Sequence, residues 1–301
     1  VSFPAQLLSE IIKGEVRFNE PMHKHTSWHI GGTADIFVLP GDIVDLREAL
    51  SLARRCELPV SIIGNGTNLL VSDLGVRGMV IKIGPGLSRI EVRGERIQVG
   101  AGVPLPRLAA VAMRSSLSGF EFLAGIPGTV GGALVMNAGA NGCAVGERVR
   151  QVTAVDFEGK EVQLNNQELE FSYRCSCLIR RKLIVAEVEF EGIPGNADAI
   201  KAKMDSYLER RRKTQPLEYP NAGSVFKNPT GDSAGKLIEQ SGCKGMREGN
   251  IQVSPCHANF FVNLGGGTAQ QVLALVEKVQ QRVFEKFGCK LIMEVQKLGE
   301  F

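Results

Sequence analysis

Three short segments carry the residue types that could do chemistry. The stretch Asn221-Ala222-Gly223-Ser224-Val225-Phe226-Lys227-Asn228-Pro229 gathers a hydroxyl, a cation and two amides between turn residues. No Gly-x-Ser-x-Gly elbow surrounds Ser224, which argues against an α/β-hydrolase nucleophile. Tyr173-Arg174 follows Ser172, and Glu294 interrupts the apolar run Leu291, Ile292, Met293, Val295. Each also has an ordinary reading: a polar loop, a strand end with a surface arginine, and a solvent-facing glutamate. Strand alternation places Glu294 opposite Met293 and Val295, which fits either an active-site acid or a surface one.

Two glycine-rich loops suggest a large ligand. Gly64-Asn65-Gly66-Thr67-Asn68-Leu69 leaves an apolar run, Val60 to Ile63. Successive N–H groups in such a turn can cradle an anion, although an ordinary strand-exit turn reads the same way. Between Gly119 and Gly146, glycines alternate with Ile126, Val130, Leu134, Val135 and Met136, all residues expected to be buried. Glycine inside an apolar segment suggests tight turns or backbone lying against a ligand. Thr129 and Asn137 offer polar contacts. Paired, the loops could clamp a diphosphate, and a dinucleotide carries one.

Other motifs fail. Gly100-Ala101-Gly102 lacks the third glycine of a dinucleotide fingerprint, since Leu105 stands there. Gly231-Asp232-Ser233-Ala234-Gly235-Lys236-Leu237 is one residue short of a P-loop and lacks Ser or Thr after the lysine. A turn and a helix start are expected instead. His23, His25, His29 and His257 are dispersed, so no metal is expected, and His23-x-His25 near Trp28 reads as a surface loop or interface. Seven cysteines without paired CxxC motifs suit reduced thiols in a cytosol. A net charge of +3 is too weak a bias for nucleic acid, the cluster Arg210, Arg211, Arg212, Lys213 being the local exception. No run approaches the ~20 apolar residues of a membrane span. The opening residue is Val1, read as a trimmed start, and the first residues lack a secretory h-region.

The positioning elements form a mixed α/β, α+β pattern. Helices are expected at 4–13, 42–55, 105–113, 196–213, 233–241 and 268–287. Strands are expected at 34–39, 60–63, 79–83, 89–93, 96–99, 149–157, 161–164, 183–190, 251–253, 259–263 and 291–298. The first β-α-β unit ends near residue 78, a mostly antiparallel region spans 79–195, and Gly192-Ile193-Pro194-Gly195-Asn196 marks a boundary before 196–301. Val272, Leu275, Val276, Val279, Val283 and Phe287 recur at helical spacing, as a core stripe does.

Taken in order, several segments resemble the UDP-N-acetylenolpyruvoylglucosamine reductase (MurB) family, flavoenzymes of bacterial cell-wall precursor synthesis. They are His25-Thr26-Ser27-Trp28-His29-Ile30-Gly31-Gly32, Gly64 to Leu70, Gly125-Ile126-Pro127-Gly128-Thr129-Val130-Gly131-Gly132-Ala133 and Asn137-Ala138-Gly139-Ala140. Tyr173-Arg174, Gln215-Pro216 and Ala222 to Pro229 follow. The ordered set spans nearly the whole chain. The resemblance implies a vanillyl-alcohol-oxidase-type (PCMH-type) FAD-binding region over 1–195 and an α+β substrate domain over 196–301. It implies non-covalent FAD held by Gly64, Asn65, Gly66, Thr67, Asn68, Leu69, Gly125, Ile126, Pro127, Gly128, Thr129, Gly131, Gly132, Ala133, Asn137, Gly139 and Arg211. Arg174, Ser224 and Glu294 carry over as catalytic residues, and Tyr173, Lys227 and Asn228 as substrate contacts.

The short link from Arg174 to the strand at Leu183 is similar to the shorter branch of that family, which lacks an inserted substrate-covering tyrosine. Ile292 and Met293 stand where the family often has Glu and Pro. Cys175 and Cys177 beside Arg174 are read as incidental. The implied reaction is NADPH-dependent reduction of UDP-N-acetylglucosamine enolpyruvate in the cytoplasm, with no metal, nucleic acid or membrane partner. Another FAD-dependent oxidoreductase on the same flavin fold and a non-catalytic UDP-sugar-binding module are the competing readings.

Overall fold

The computed structural model describes residues 5–301, with side chains from Leu8 onward; the expected helix at 4–13 is present as Ala5–Ile11, Pro4 lying outside the described residues. Along the chain come α1 (Ala5–Ile11), β1 (Glu15–Pro21), β2 (Thr33–Leu39), α2 (Ile43–Arg55), β3 (Val60–Ile63), β4 (Leu69–Val71) and β5 (Val76–Lys82). Next are β6 (Ile90–Arg93), β7 (Arg96–Gly100), α3 (Leu105–Arg114), α4 (Val130–Val135), β8 (Val149–Asp156), β9 (Glu161–Asn165), α5 (Cys177–Arg180), β10 (Leu183–Glu191) and α6 (Ala197–Thr214). The chain closes with α7 (Ala234–Gln240), β11 (Arg247–Glu248), β12 (Ile251–Val253), β13 (Phe261–Asn263), α8 (Ala269–Phe287) and β14 (Gln296–Leu298).

The chain divides into two compact units that are not contiguous in sequence. One comprises the described chain through Phe18, with 36–65 and 78–210; the other comprises 19–35, 66–77 and 211–301. The glycine-proline break at 192–196 falls inside the first unit. The reason is that α6 beyond it lays Ile200, Met204, Tyr207 and Leu208 on the first unit's core.

A four-stranded sheet has the order β1-β2-β5-β3, with β3 and β5 parallel. So β5, expected to belong with the antiparallel region, instead separates the two strands of the first β-α-β unit. Asp42 caps α2 by accepting from Asp45 N at 2.9 Å. The first unit's second sheet is antiparallel throughout, in the order β9-β8-β10-β7-β6. Every second residue from Val152 to Ala154 and from Ile184 to Phe190 is buried, and Phe120 meets Phe190 edge-on at 5.8 Å.

The second unit packs α7 and α8 with the small sheet β11-β12-β13. Thr268 and Gln271 form a capping box at the start of α8, and Asp73 accepts from Ala269 N at 2.8 Å and Gln270 N at 3.1 Å. Val272, Leu275, Val276, Val279 and Val283 are buried, each such side chain contributing about 1.5–3 kcal/mol relative to exposure. Phe287 departs from the expected stripe: it sits on the last turn and is exposed. Trp28, beside the His23-x-His25 segment read as a surface loop or interface, belongs to the core. It is fully buried and donates from Nε1 to Phe261 O at 2.8 Å. His25 is nearly buried against Glu20, 2.8 Å away.

Candidate active site

In the first unit the two glycine loops meet. Gly64, at the end of β3, approaches Thr129 so closely that a Cβ there would stand 2.6 Å from Thr129 Oγ1. Thr129 is buried and caps α4, its hydroxyl accepting from Gly132 N. The segment read from sequence as a run of turns therefore holds a helical turn-and-a-half with Gly131 and Gly132 inside it. Val130 and Leu134 are buried as expected, but Ile126, Val135 and Met136 are only half-buried, and Gly132 is exposed. Half-covered apolar side chains beside bare backbone suit a flat aromatic ligand.

The Tyr173-Arg174 pair occupies the tip of a tight hairpin. Ser172 N donates to Cys175 O at 3.1 Å and Cys175 N donates to Ser172 O at 3.2 Å. Arg174 adopts a left-handed φ of 54°, a conformation that costs a non-glycine residue energy and persists only when its surroundings hold it. Those surroundings come from the glycine segment. Asn137 Nδ2 donates to Ser172 O at 2.9 Å, and Arg174 Nη2 donates to Gly139 O at 3.4 Å. The Arg174 guanidinium also lies over the Tyr173 ring, 5.3 Å from its centre. Asn137 Oδ1 is itself occupied, accepting from Gly146 N at 3.0 Å. Asn137 Nδ2 thus braces the hairpin, while Oδ1 ties Asn137 to the Gly146 backbone.

In the second unit the rest of the first glycine loop joins the C-terminal residues. Gly66 has φ +63°, and any side chain there would collide with the His25 carbonyl. Ser27 N donates to Gly66 O at 3.1 Å, and Ser27 Oγ donates to Asn221 O at 2.7 Å. Asn68 Nδ2 donates to Glu294 O at 3.4 Å, and Gln296 N donates to Asn68 O at 3.0 Å, where β14 begins its parallel pairing with β4.

The same unit brings Ser224 and Glu294 together. Glu294 N donates to Val225 O at 2.7 Å, one residue beyond Ser224, while Lys227 N donates to Ile292 O at 2.9 Å. Glu294 is 9% exposed, so it is a buried acid and no surface residue. The expected strand at 291–298 is shortened to β14. Residues 292–294 pair irregularly with Phe226, and Ile292 turns out to solvent at 63% exposure. Asn228 has a structural task, its Oδ1 accepting from Ala234 N at 3.0 Å at the start of α7. That helix start is the ordinary reading of the near-P-loop, with Lys236 ion-paired to Asp232. Lys227 is half-buried.

Arg211, near the end of α6, is half-buried, and its Nε has no acceptor. Burial lowers its pKa from the usual arginine value, a cost that an anionic partner would offset. Among the described residues, no group of three or more His, Cys, Asp or Glu could hold a metal ion, and all seven cysteines are free. No helix among the described residues is long and apolar enough to cross a membrane.

Two asparagines brace this arrangement, Asn221 within the polar segment singled out from sequence and Asn259 outside any motif. Asn221 folds the chain ahead of Ser224, accepting from Gly223 N at 3.1 Å and donating to Pro216 O and Tyr219 O. Asn259 reads from sequence as one polar residue in a strand, yet its side chain bonds the backbone of Phe226.

Two family models match separate stretches of the chain. Residues 34–165 match the family model described as FAD binding domain. Residues 215–298 match the model described as UDP-N-acetylenolpyruvoylglucosamine reductase, C-terminal domain. A UDP-N-acetylenolpyruvoylglucosamine reductase of Desulforamulus reducens is 48% identical over 294 residues, 97% of each chain. UDP-N-acetylenolpyruvoylglucosamine reductase 2 of Symbiobacterium thermophilum is 48% identical over 297 residues, covering 98% of this chain and 96% of its own. The crystal structure of the enzyme from Thermus caldophilus superposes with a TM-score of 0.83 at 35% identity, covering 95% of this chain and 99% of that one. With near-half identity sustained along almost the entire length, the chain belongs to the UDP-N-acetylenolpyruvoylglucosamine reductase (MurB) family.

Proposed function

We propose that this protein reduces UDP-N-acetylglucosamine enolpyruvate to UDP-N-acetylmuramate with NADPH, through bound FAD, in the synthesis of peptidoglycan precursor. Family membership over the full length supports the reaction. The observation that carries the chemical assignment is the pairing of Glu294 N with Val225 O, which sets a buried carboxyl beside the serine-bearing segment.

The residues fit the cofactor on three counts: the Gly64–Thr129 approach, the half-covered Ile126, Val135 and Met136, and the unpaired Arg211 Nε. Gly64, Asn65, Gly66, Thr67, Asn68 and Leu69, with Gly125, Ile126, Pro127, Gly128, Thr129, Gly131, Gly132, Ala133, Asn137, Gly139 and Arg211, are proposed to hold it. FAD, when bound, supplies the two-electron carrier between NADPH and the enolpyruvyl double bond. The chain's own residues handle charge and proton.

Hydride addition at the methylene carbon leaves negative charge on the neighbouring carbon and its carboxylate. Arg174 is suited to that charge, because guanidinium presents a fixed fork of donors to a carboxylate. Glu294, in its protonated form, donates a hydrogen bond to the same developing enolate. Each such contact contributes about 2.7–4 kcal/mol to the transition state. Ser224 then gives its proton to the carbon next to the carboxylate, completing addition of one hydride and one proton across the double bond. Serine is a weak acid in water, but the enolate is strongly basic. Tyr173, Lys227 and Asn228 are proposed to contact the substrate. The enzyme works on small molecules in a reducing cytoplasm, a setting that seven free cysteines suit.

Anaerobic single-turnover kinetics of Ser224→Ala tests the assignment. NADPH should still bleach the flavin at the normal rate. Reoxidation by the enolpyruvyl substrate should slow by about 10²–10⁴-fold, the usual cost of a positioned acid. Normal reoxidation would remove Ser224 from the proton-donor role.

A further inference from the structure

The segment that carries Ser224 belongs to no regular strand. Ser224 and Phe226 make only isolated bridges, to Phe260 on one side and Met293 on the other. One residue supplies what a strand neighbour would. Asn259 is buried, at 3% exposure, just ahead of β13. Its Oδ1 accepts from Phe226 N at 2.9 Å, and its Nδ2 donates to Phe226 O at 2.8 Å. Its own carbonyl accepts from Val225 N at 2.8 Å. Three backbone polar groups on the two residues after Ser224 are therefore satisfied by one asparagine. The fourth, Val225 O, is the group that accepts from Glu294 N. The side-chain amide copies a peptide group: one donor and one acceptor, coplanar, facing one residue.

We infer that Asn259 is the positioning residue of the Ser224–Glu294 pair. It fixes the Val225-Phe226 backbone. That backbone carries Ser224 at one end and bonds Glu294 through Val225 O, so both groups take their places from it. The inference rests on the reading in which Ser224 donates the proton and Glu294 serves the enolate. Alanine at 259 removes both side-chain bonds. An ionised aspartate keeps the bond from Phe226 N but sets a second acceptor against Phe226 O. A protonated aspartic acid restores donor and acceptor together, and burial raises its pKa.

The test uses the flavin-loaded enzyme in anaerobic stopped flow, with NADPH for reduction and UDP-N-acetylglucosamine enolpyruvate for reoxidation. Asn259→Ala should be reduced at the normal rate and reoxidised on the order of 10²-fold more slowly, the cost of a small misplacement. KM should stay within a few-fold. Asn259→Asp, referred to the wild-type enzyme at each pH, should recover reoxidation as pH falls from about 8 to about 6.

Asn263→Ala is the control. Asn263 is equally buried and makes three bonds, donating to Trp28 O at 2.9 Å and accepting from Gly265 N at 2.9 Å and Gly267 N at 3.0 Å. Its loss should lower the melting temperature and leave reoxidation near normal. Normal reoxidation in Asn259→Ala would overturn the inference. So would an equal slowing in Asn263→Ala, or an Asn259→Asp profile with no recovery should the alanine variant fail to fold. Failure of the wild-type enzyme to be reoxidised by this substrate would instead sink the functional reading on which the inference stands.

Discussion

Replacing Asn137 separates a bracing residue from a ligand contact. Asn137 is 8% exposed, with a left-handed φ of 41°. Its amide bonds Ser172 O and Gly146 N. In Asn137→Ala the buried Gly146 N–H loses its acceptor, at about 1–3 kcal/mol, whereas Ser172 is exposed and water replaces the donor to its carbonyl at little cost. Alanine also tolerates the left-handed region less well than asparagine, adding up to about 1 kcal/mol. The sum is about 1–4 kcal/mol, a melting-temperature drop of roughly 2–6 °C for a chain this size. Asn137→Gly removes the backbone penalty but not the lost bonds, so it should fall between wild type and alanine. Because the hairpin carries Arg174, kcat should drop on the order of 10-fold with alanine. Differential scanning calorimetry of the flavin-free protein, with steady-state kinetics of the loaded enzyme, checks both numbers. An alanine variant that melts together with wild type without flavin, yet loses flavin affinity, would refute the bracing role and leave Asn137 as a cofactor contact alone.

Two further outcomes follow from the same geometry. His257 is pushed below its usual pKa of 6.5 chiefly by burial, and its Nδ1 accepts from Asn259 N at 3.2 Å, a bond only the unprotonated nitrogen can accept. The folded state thus binds the proton less readily than the unfolded chain. The stability contribution is complete above about pH 6.5 and is lost as pH falls toward the depressed folded value. His257→Gln should flatten the melting profile in that window, and an unchanged slope would count against it. Gly64→Ala sets a Cβ 2.6 Å from Thr129 Oγ1, forcing the two loops apart. Flavin content of the purified variant should fall to a small fraction of wild type, measured by absorbance ratio, and full occupancy would show that the loops do not hold the cofactor.

The elements that announced themselves in the sequence were those with strong local signals. Asp42 before an apolar period, the helically spaced stripe from Val272 to Val283, and the apolar run of β10 each specify their element from within. Elements that depend on distant partners were not legible. β1 alternates only Val16 and Phe18 with polar residues, and its side chains are mostly exposed, while β5 entered the wrong sheet because its pairing with β3 is decided by the crossover between them. The helix α4 was hidden by its glycines, which lower helix propensity but permit the contact between Gly131 and Ala101. At the site, Ser224 and Glu294 were legible as odd residues in their surroundings. Asn259, which bonds the backbone after Ser224, was not, since an amide that bonds backbone leaves no spacing pattern. The burial of Trp28 could not be read locally, because the carbonyl its indole meets, Phe261 O, lies far along the chain.

The central claim is tested most directly by the visible spectrum of the purified wild-type protein under anaerobic conditions. It should show an oxidised flavin, bleach with one equivalent of NADPH, and regain its colour when UDP-N-acetylglucosamine enolpyruvate is added without oxygen. A protein that cannot be reconstituted with FAD, or a reduced flavin that this substrate leaves bleached while oxygen restores it, would contradict the account.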